Sequence, residues 1–118
     1  MIEILSPGLL TTVQDAGRYG WQKYGVPVSG AMDGWSLAVA NLLAGNAPAE
    51  GALEITALGP TLRFFQPVAF ALAGGDFPAQ LDGCPLEMGR AYSARAGSTL
   101  QIGAARTGFR CYLAVNGG

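Results

Sequence analysis

Glycine and proline interrupt this chain so often that most of it cannot form long helices. Eighteen glycines and seven prolines divide the 118 residues into short apolar runs, and many of these runs alternate apolar with polar positions. Because residues two apart on a strand share a face, such alternation is typical of strands that are buried on one side. Strands that recur at about 8–12 residue spacing are typical of barrels and sandwiches. The pattern therefore predicts a mainly β domain with one principal helix.

Seven or eight strands are predicted from the alternating runs. The segment AQLDGCPLEM is predicted to be a tight hairpin, because Asp82-Gly83 between apolar flanks is a strong signal for a two-residue turn. The other predicted strands are MIEIL, LLTTVQD, ALEITAL, TLRFF, VAFALAG, STLQIGA and FRCYLAV.

The helix is predicted at about residues 33–44, within MDGWSLAVANLLAGN. Asp33 is a suitable N-cap, because its carboxylate can accept hydrogen bonds from the free amides of the first turn. Gly45 and Asn46, with a proline behind them, are a typical helix stop. The predicted buried face consists of the apolar residues at helical spacing, Trp35, Ala38, Val39, Leu42 and Leu43.

The composition excludes several classes of function. A net charge of −1 argues against nucleic acid, whose binding requires a basic surface. No apolar run reaches the roughly 18–20 residues of a membrane span, and MIEILSPGLL lacks the charged start and cleavage site of a signal peptide. A cytoplasmic protein is therefore predicted. Only 13% of residues are charged, which suggests that some apolar surface meets another subunit or domain.

The chain has no histidine, which restricts its chemistry. Nucleophile pairs of the Ser–His and Cys–His type and zinc bound by histidine are excluded. Cys84 and Cys111 are far apart in sequence and are predicted to be structural free thiols. No metal site is predicted. Any reaction would have to use carboxylates, Lys, Arg, Tyr, a cofactor or groups from elsewhere.

The run TTVQDAGRYGWQKYGV concentrates polar and aromatic residues at a glycine-rich segment, Ala16 to Gly30, that is predicted to be a long loop. Loops of more than about 12–15 residues in compact domains are usually functional or disordered, and the aromatic residues argue against disorder. Asp15 and Arg18 could form a charged pair that holds the loop. Alternatively, the glycines could bring backbone amides close to a ligand while Arg18 binds an anionic group. No nucleotide-binding motif is present.

Four further polar residues are candidates for a site, and each has a simpler structural explanation. Asp33 is either the helix cap or a carboxylate that points into a cleft. Asn41, in the middle of the helix, either braces a loop backbone or contacts substrate. Glu54, on a strand, either points to solvent, or pairs with Arg18 or lies in a cleft. Asp76, after two glycines, is either a turn former or a binding residue at a strand end.

The run PGLLTTVQDAGRYGWQKYGVPVSGAMDGWSLAVANLLAGN, followed by ALEITALGPTLRF, GGDFPAQLDG and YLAVNGG, strongly resembles a known family. It is similar to the carboxyltransferase-type family related to allophanate hydrolase subunit 2, which includes the C subunit of bacterial 5-oxoprolinase. Lys23 departs from a histidine that is common in relatives, and Ala73 departs from a threonine. The shared motif residues are Asp15, Gly17, Arg18, Gly20, Gly25, Gly30, Met32, Asp33, Asn41, Asn46, Glu54, Gly59 and Pro60.

The resemblance implies a cyclophilin-like β-barrel and a longer protein. Residues 1–118 are expected to be the N-terminal part of such a domain, truncated at its C-terminus and inactive alone, because YLAVNGG stops immediately after a fully apolar strand. One family branch opens 5-oxoproline to glutamate with partner subunits and ATP. A second transfers the carboxyl group of carboxybiotin to urea. A third is a binding regulator that antagonises an inhibitor of a histidine kinase.

The resemblance implies a cleft for a small amide, ureido or lactam substrate. We expect the 5-oxoprolinase activity, in a hetero-oligomer that uses ATP at the level of the whole complex, with biotin only in the urea alternative. Hydrogen bonds would polarise the substrate, and a carboxylate would act as the base. The expected catalytic residues are Asp15, Arg18 and Asp33, and the expected substrate-binding residues are Asn41, Glu54 and Asp76.

Overall fold

The described part of the chain is built from strands around a single helix. A computed structural model describes residues 2–6, 8, 10–14, 34–48 and 50–116. These residues confirm the mainly β class and the helix predicted at about 33–44. The elements are β1 (Ile2–Ser6), β2 (Leu10–Gln14), α1 (Gly34–Leu43), β3 (Ala52–Thr56), β4 (Thr61–Phe64), β5 (Val68–Asp76), β6 (Ala79–Leu81), β7 (Cys84–Leu86), β8 (Arg90–Ala94), β9 (Thr99–Ile102) and β10 (Thr107–Val115).

The strands form two antiparallel sheets of five strands each. The first sheet has the order β1-β4-β9-β6-β7, and the second has the order β2-β3-β10-β5-β8. The two sheets share one apolar core, in which Phe64 of the first sheet stacks on Phe70 of the second with ring centroids 5.3 Å apart. The arrangement is thus barrel-like, although the described strands pair as two separate sheets.

The helix covers the other face of the second sheet. That face carries alanines, which leave room for the helix to approach closely. The buried helix residues include Leu37 and Ala40, and they pack against Tyr112 of β10. The sheet alanines in this contact are Ala52, Ala71, Ala73 and Ala114.

Most of the apolar face predicted for the helix is not the buried one, although Val39 is partly buried and packs against the helix–sheet cluster. Trp35 is 80% exposed and Leu42 is 59% exposed. The face that packs on the sheet instead carries Ser36, Leu37, Ala40 and Asn41. A sheet surface made of alanines is filled by small side chains and one leucine, so the bulkier apolar residues are left on the outside.

The helix ends in a hydrogen-bonded cap, as its Gly-Asn sequence predicts. Gly45 has φ +86°, a conformation that glycine adopts without steric cost. The Asn46 amide donates to the carbonyl of Asn41 at 2.7 Å, and the Gly45 amide donates to the carbonyl of Leu42 at 3.1 Å. These two bonds form a Schellman motif. The predicted N-cap, Asp33, lies outside the described residues.

The hairpin predicted at Asp82-Gly83 is confirmed. Both residues have positive φ, 50° and 84°, as a type I′ turn requires. The Asp82 carboxylate accepts a hydrogen bond from the Thr99 amide at 2.8 Å, and this bond, with one from Ser98, lowers the pKa of Asp82. A lowered carboxyl pKa stabilises the fold above the unfolded-state pKa. This contribution is lost as the pH falls through the lower, folded-state pKa.

Strand β8 was not predicted from the sequence. Its segment, RAYSA, has no run of alternating apolar residues, and only Tyr92 is large and apolar. The Tyr92 ring lies against Phe70 with centroids 5.8 Å apart, and its hydroxyl accepts a hydrogen bond from the Glu87 amide at 2.8 Å. Pairing with β5 and these two contacts therefore place a strand that local sequence does not indicate.

The two cysteines are expected to differ strongly in reactivity. Cys84 is exposed, whereas Cys111 is buried and burial raises its pKa to about 12. Because the thiolate is the reactive form, a thiol reagent at pH 8 should modify one cysteine per native chain and both after denaturation. Replacing Cys84 by serine should abolish the native-state reaction. Rapid modification of two thiols in the native protein would contradict this expectation.

Candidate functional site

The residues predicted to form a site fall into two groups. Asp15, Arg18 and Asp33 lie outside the described residues. Asn41 lies on α1 and Glu54 on β3, while Asp76 is the last residue of β5.

Glu54 is a buried carboxylate in the centre of the second sheet. The residue is only 6% exposed, so the alternative that its side chain points to solvent was wrong. The hydroxyl of Tyr112, itself fully buried, donates to Glu54 Oε2 at 2.6 Å. Hydrogen bonds between a hydroxyl and a carboxylate are short and strong because the acceptor is charged. A buried carboxyl group needs such a partner, because burying a polar group without a hydrogen bond costs free energy.

Strand register explains why Glu54 and Tyr112 meet. The two residues are directly opposite each other on β3 and β10. Their neighbours Ile55, Cys111 and Leu113 point into the core between the sheets. Alternation then places Glu54 and Tyr112 on the other face of the sheet, where α1 covers Tyr112.

Arg110 adds a positive charge to this face. It lies two residues before Tyr112 on β10 and opposite Thr56 of β3, so it shares a face with Tyr112. Its guanidinium carbon lies 4.9 Å from the ring centroid of Phe109. Its Nε is buried and has no hydrogen-bond partner in the described part of the chain. We refer to Glu54, Thr56, Arg110 and Tyr112 as the β3–β10 polar cluster.

Glu54 was predicted as a candidate from the sequence, whereas Arg110 and Tyr112 were not. Both lie in FRCYLAV, which was interpreted only as an apolar strand. The available signal was their two-residue spacing, which gives one strand face a guanidinium and a phenol. Their pairing with β3 depends on register between strands that are distant in sequence, and this could not be deduced from the residues alone.

Asn41 braces the segment that follows the helix. It is fully buried, and its Nδ2 donates to the carbonyl of Glu50 at 2.8 Å and to that of Pro48 at 3.2 Å. Its Oδ1 accepts a hydrogen bond from Asn46 Nδ2 at 3.3 Å. These contacts correspond to the bracing role considered for this residue. A contact between Asn41 and substrate remains a prediction.

Two further asparagines attach the end of the helix to the second sheet. Asn46 Nδ2 donates to the carbonyl of Val115 at 2.8 Å. Asn116 Nδ2 donates to the carbonyl of Ala44 at 2.7 Å. Together with Asn41 they hold α1 against β10, and therefore against the strand that carries Arg110 and Tyr112.

Asp76 lies apart from the polar cluster. Its carboxylate forms an ion pair with Arg106 Nη2 at 3.0 Å, and the two side chains are 49% and 61% exposed. Exposed pairs of this kind contribute roughly 0–1 kcal/mol. The structure therefore brings Asp76 together with Arg106 and not with Glu54.

A separate groove opens on the first sheet. Its volume is about 410 Å³, and none of the described residues that line it is charged. Ser6, Thr61, Gln101 and Gln80 form a row across four neighbouring strands in this groove. Among the described residues, no group of three or more His, Cys, Asp or Glu side chains could hold a metal ion. The described residues also contain no helix with the length and apolar character needed to cross a membrane.

The β3–β10 polar cluster combines groups that suit a small polar ligand. A carboxylate held by a phenol accepts hydrogen bonds from amide N–H groups and can act as a base. A guanidinium binds carboxylates through two parallel hydrogen bonds.

Comparison with known proteins agrees with the motif resemblance. The family model for the carboxyltransferase domain, subdomain A and B, matches residues 24–118. The chain is 41% identical to the 5-oxoprolinase C subunit of Escherichia coli over 118 residues, covering all of this chain and 38% of that protein. It is 40% identical to Saccharomyces cerevisiae urea amidolyase, covering 99% of this chain and 6% of that protein.

A solved structure shows the same fold. The crystal structure of the K. lactis urea amidolyase matches with a TM-score of 0.94 and 38% identity, covering 99% of this chain and 7% of that one. The chain therefore spans well under half of the length of each of these relatives.

Proposed function

The chain belongs to the carboxyltransferase domain family, subdomain A and B, and on that basis we propose that it is part of a subunit of an ATP-dependent 5-oxoprolinase. The complex would open the lactam ring of 5-oxoproline to give glutamate. Partner subunits in the cytoplasm would complete the enzyme, and ATP would be used by the whole complex. Identity of 38–41% to two 5-oxoprolinase C subunits over the whole chain supports this assignment.

The buried pair of Glu54 and Tyr112 is the observation that carries the proposal. A lactam presents one N–H donor next to its carbonyl group. The Glu54 carboxylate can accept a hydrogen bond from that N–H, or accept its proton, while the Tyr112 hydroxyl at 2.6 Å keeps the carboxylate in one orientation. The predicted contributions of Asp15, Arg18 and Asp33 remain part of the proposal.

A biotin-dependent urea carboxyltransferase is the second candidate. It is favoured by the 40% identity to Saccharomyces cerevisiae urea amidolyase over 99% of this chain. Urea also presents N–H donors beside a carbonyl, so Glu54 could serve either substrate in the same way. Biotin would then carry the transferred carboxyl group.

Replacing Glu54 by glutamine is expected to reduce turnover by about 100-fold or more, as loss of a general base usually does. The assay would measure ATP-dependent formation of glutamate from 5-oxoproline by the protein with its partner subunits. Carboxylation of urea in the presence of carboxybiotin would be measured in parallel. Circular dichroism and co-purification would show that the variant folds and assembles.

Glu50→Gln is the matched control, because Glu50 is exposed and lies four residues before Glu54. It should retain normal turnover. Normal turnover in Glu54→Gln would remove the β3–β10 polar cluster from the active site. Activity with urea and none with 5-oxoproline would replace the first candidate by the second.

A further inference from the structure

We propose that Arg110 binds a carboxylate group of the substrate and so makes the β3–β10 polar cluster selective for anionic over neutral ligands. This inference deepens the proposed function, on which it rests for the location of the site. It concerns the class of substrate: a lactam that carries a carboxylate would be preferred over a neutral amide or urea.

The first argument is the unsatisfied donor on Arg110. Its Nε is buried and lacks a partner in the part of the chain that the structure describes. Buried polar groups are nearly always hydrogen-bonded, and an exception calls for a specific explanation, such as a missing ligand. Because Arg is charged in proteins at any ordinary pH, the missing partner is best matched by an anion.

Arg110 also differs from the other described arginines. Arg90 pairs with Glu87 at 3.0 Å and Arg106 pairs with Asp76 at 3.0 Å, and all four of these side chains are about half exposed or more. The remaining two, Arg63 and Arg95, are exposed to solvent. Arg110 is thus the only partly buried arginine among the described residues. It shares a sheet face with Glu54, whose carboxylate accepts a hydrogen bond from Tyr112.

The aromatic contact of Arg110 does not satisfy its hydrogen-bonding groups. The guanidinium lies against the ring of Phe109, with 4.9 Å between its central carbon and the ring centroid. An aromatic ring contains no carboxylate or carbonyl oxygen, so this contact does not replace the missing hydrogen-bond partner of Nε. A carboxylate can bind a guanidinium through two parallel hydrogen bonds.

The spacing to Glu54 fits one small molecule. Arg110 and Glu54 are diagonal neighbours, because Arg110 faces Thr56 and Tyr112 faces Glu54. Diagonal neighbours on paired strands are about 7–8 Å apart. In 5-oxoproline the carboxylate is attached to the carbon next to the ring N–H. Arg110 could therefore hold the carboxylate while Glu54 accepts the N–H, whereas urea offers nothing for Arg110 to bind.

Calorimetric titration tests this assignment with three probes: 5-oxoproline, its uncharged analogue 2-pyrrolidinone, and urea. The protein would be used with its partner subunits. The wild type should bind 5-oxoproline at least about 10-fold more tightly than 2-pyrrolidinone. Arg110→Gln should weaken the binding of 5-oxoproline by about 10–100-fold, as loss of a hydrogen bond to a charged group does, and leave 2-pyrrolidinone unchanged. Arg106→Gln, which removes an exposed arginine, should change neither affinity.

Several results would overturn the assignment. These are equal binding of 5-oxoproline and 2-pyrrolidinone by the wild type, unchanged binding in Arg110→Gln, and an equal loss of affinity for both ligands. If Arg110→Gln does not fold, Arg110→Lys would be titrated in its place. This variant keeps the positive charge and should retain only part of the preference for 5-oxoproline over 2-pyrrolidinone. Selective binding without ATP-dependent turnover would refute the proposed function and leave this inference intact.

Discussion

Asn41→Ala is expected to lower the free energy of unfolding by about 2–4 kcal/mol, because it removes three hydrogen bonds made by a fully buried side chain. The carbonyls of Pro48 and Glu50 would lose the amide that binds them. The segment after α1 would then be held less firmly, and α1 with it. Urea denaturation followed by circular dichroism would measure the change.

Leu42→Ala is the control, because Leu42 is next to Asn41 on the same helix and is 59% exposed. Its replacement should change stability by less than about 0.5–1 kcal/mol. A similar small effect for Asn41→Ala would show that the observed hydrogen bonds do not stabilise the fold. Asn41 would then be better explained by the predicted substrate contact.

Gly74→Ala is expected to destabilise the protein by about 3–5 kcal/mol, through backbone strain and overpacking together. Gly74 has φ +123°, and an added Cβ would lie 2.7 Å from the carbonyl oxygen of Arg110 and 2.8 Å from Cys111 Cα. Both contacts are with backbone atoms of β10, which cannot turn aside as a flexible side chain would. Thermal unfolding would report the loss.

Gly83→Ala separates the two causes of that loss. Gly83 also has positive φ, +84°, but an added Cβ there meets nothing within 4 Å. Its replacement should therefore cost only the conformational strain, about 1–2 kcal/mol. If the two variants were equally destabilised, close packing between β5 and β10 would not explain the requirement for glycine at residue 74.

Local patterns predicted the elements of this fold well and their pairing poorly. The Asp82-Gly83 turn and the Gly45-Asn46 helix stop were predictable, because each depends on the backbone preferences of two adjacent residues. Strand β8 was missed since its stability comes from pairing with β5 and from the packing of Tyr92.

The orientation of the helix depended on its partner surface. The apolar stripe that includes Trp35 and Leu42 is the stronger hydrophobic pattern, yet these residues are exposed in the described structure. The sheet presents alanines such as Ala71 and Ala73, and the helix face that packs on them carries small residues and Leu37. That information lies in a segment distant from the helix in sequence.

The candidate site was predictable only in part for a similar reason. Glu54 was predicted as a candidate because it is a carboxylate on a strand, whereas its burial is a property of the folded structure. Its partner Tyr112 lies 58 residues later in the chain. Arg110 was not noticed because an arginine at a strand position is ordinarily exposed, and its unpaired Nε is a property of the folded structure.

The position of β10 has a consequence for the synthesis of the protein on the ribosome. β10 lies between β3 and β5 and pairs with both, through Leu113 opposite Leu53 and Ala114 opposite Ala71. While residues 107–115 are still unsynthesised or inside the exit tunnel, the nascent chain carries two apolar strands with open edges. Chains whose strands pair at such long sequence separation fold slowly, and their intermediates expose apolar surface that can aggregate. Chaperones that bind nascent chains should therefore hold this polypeptide until β10 emerges and closes the gap.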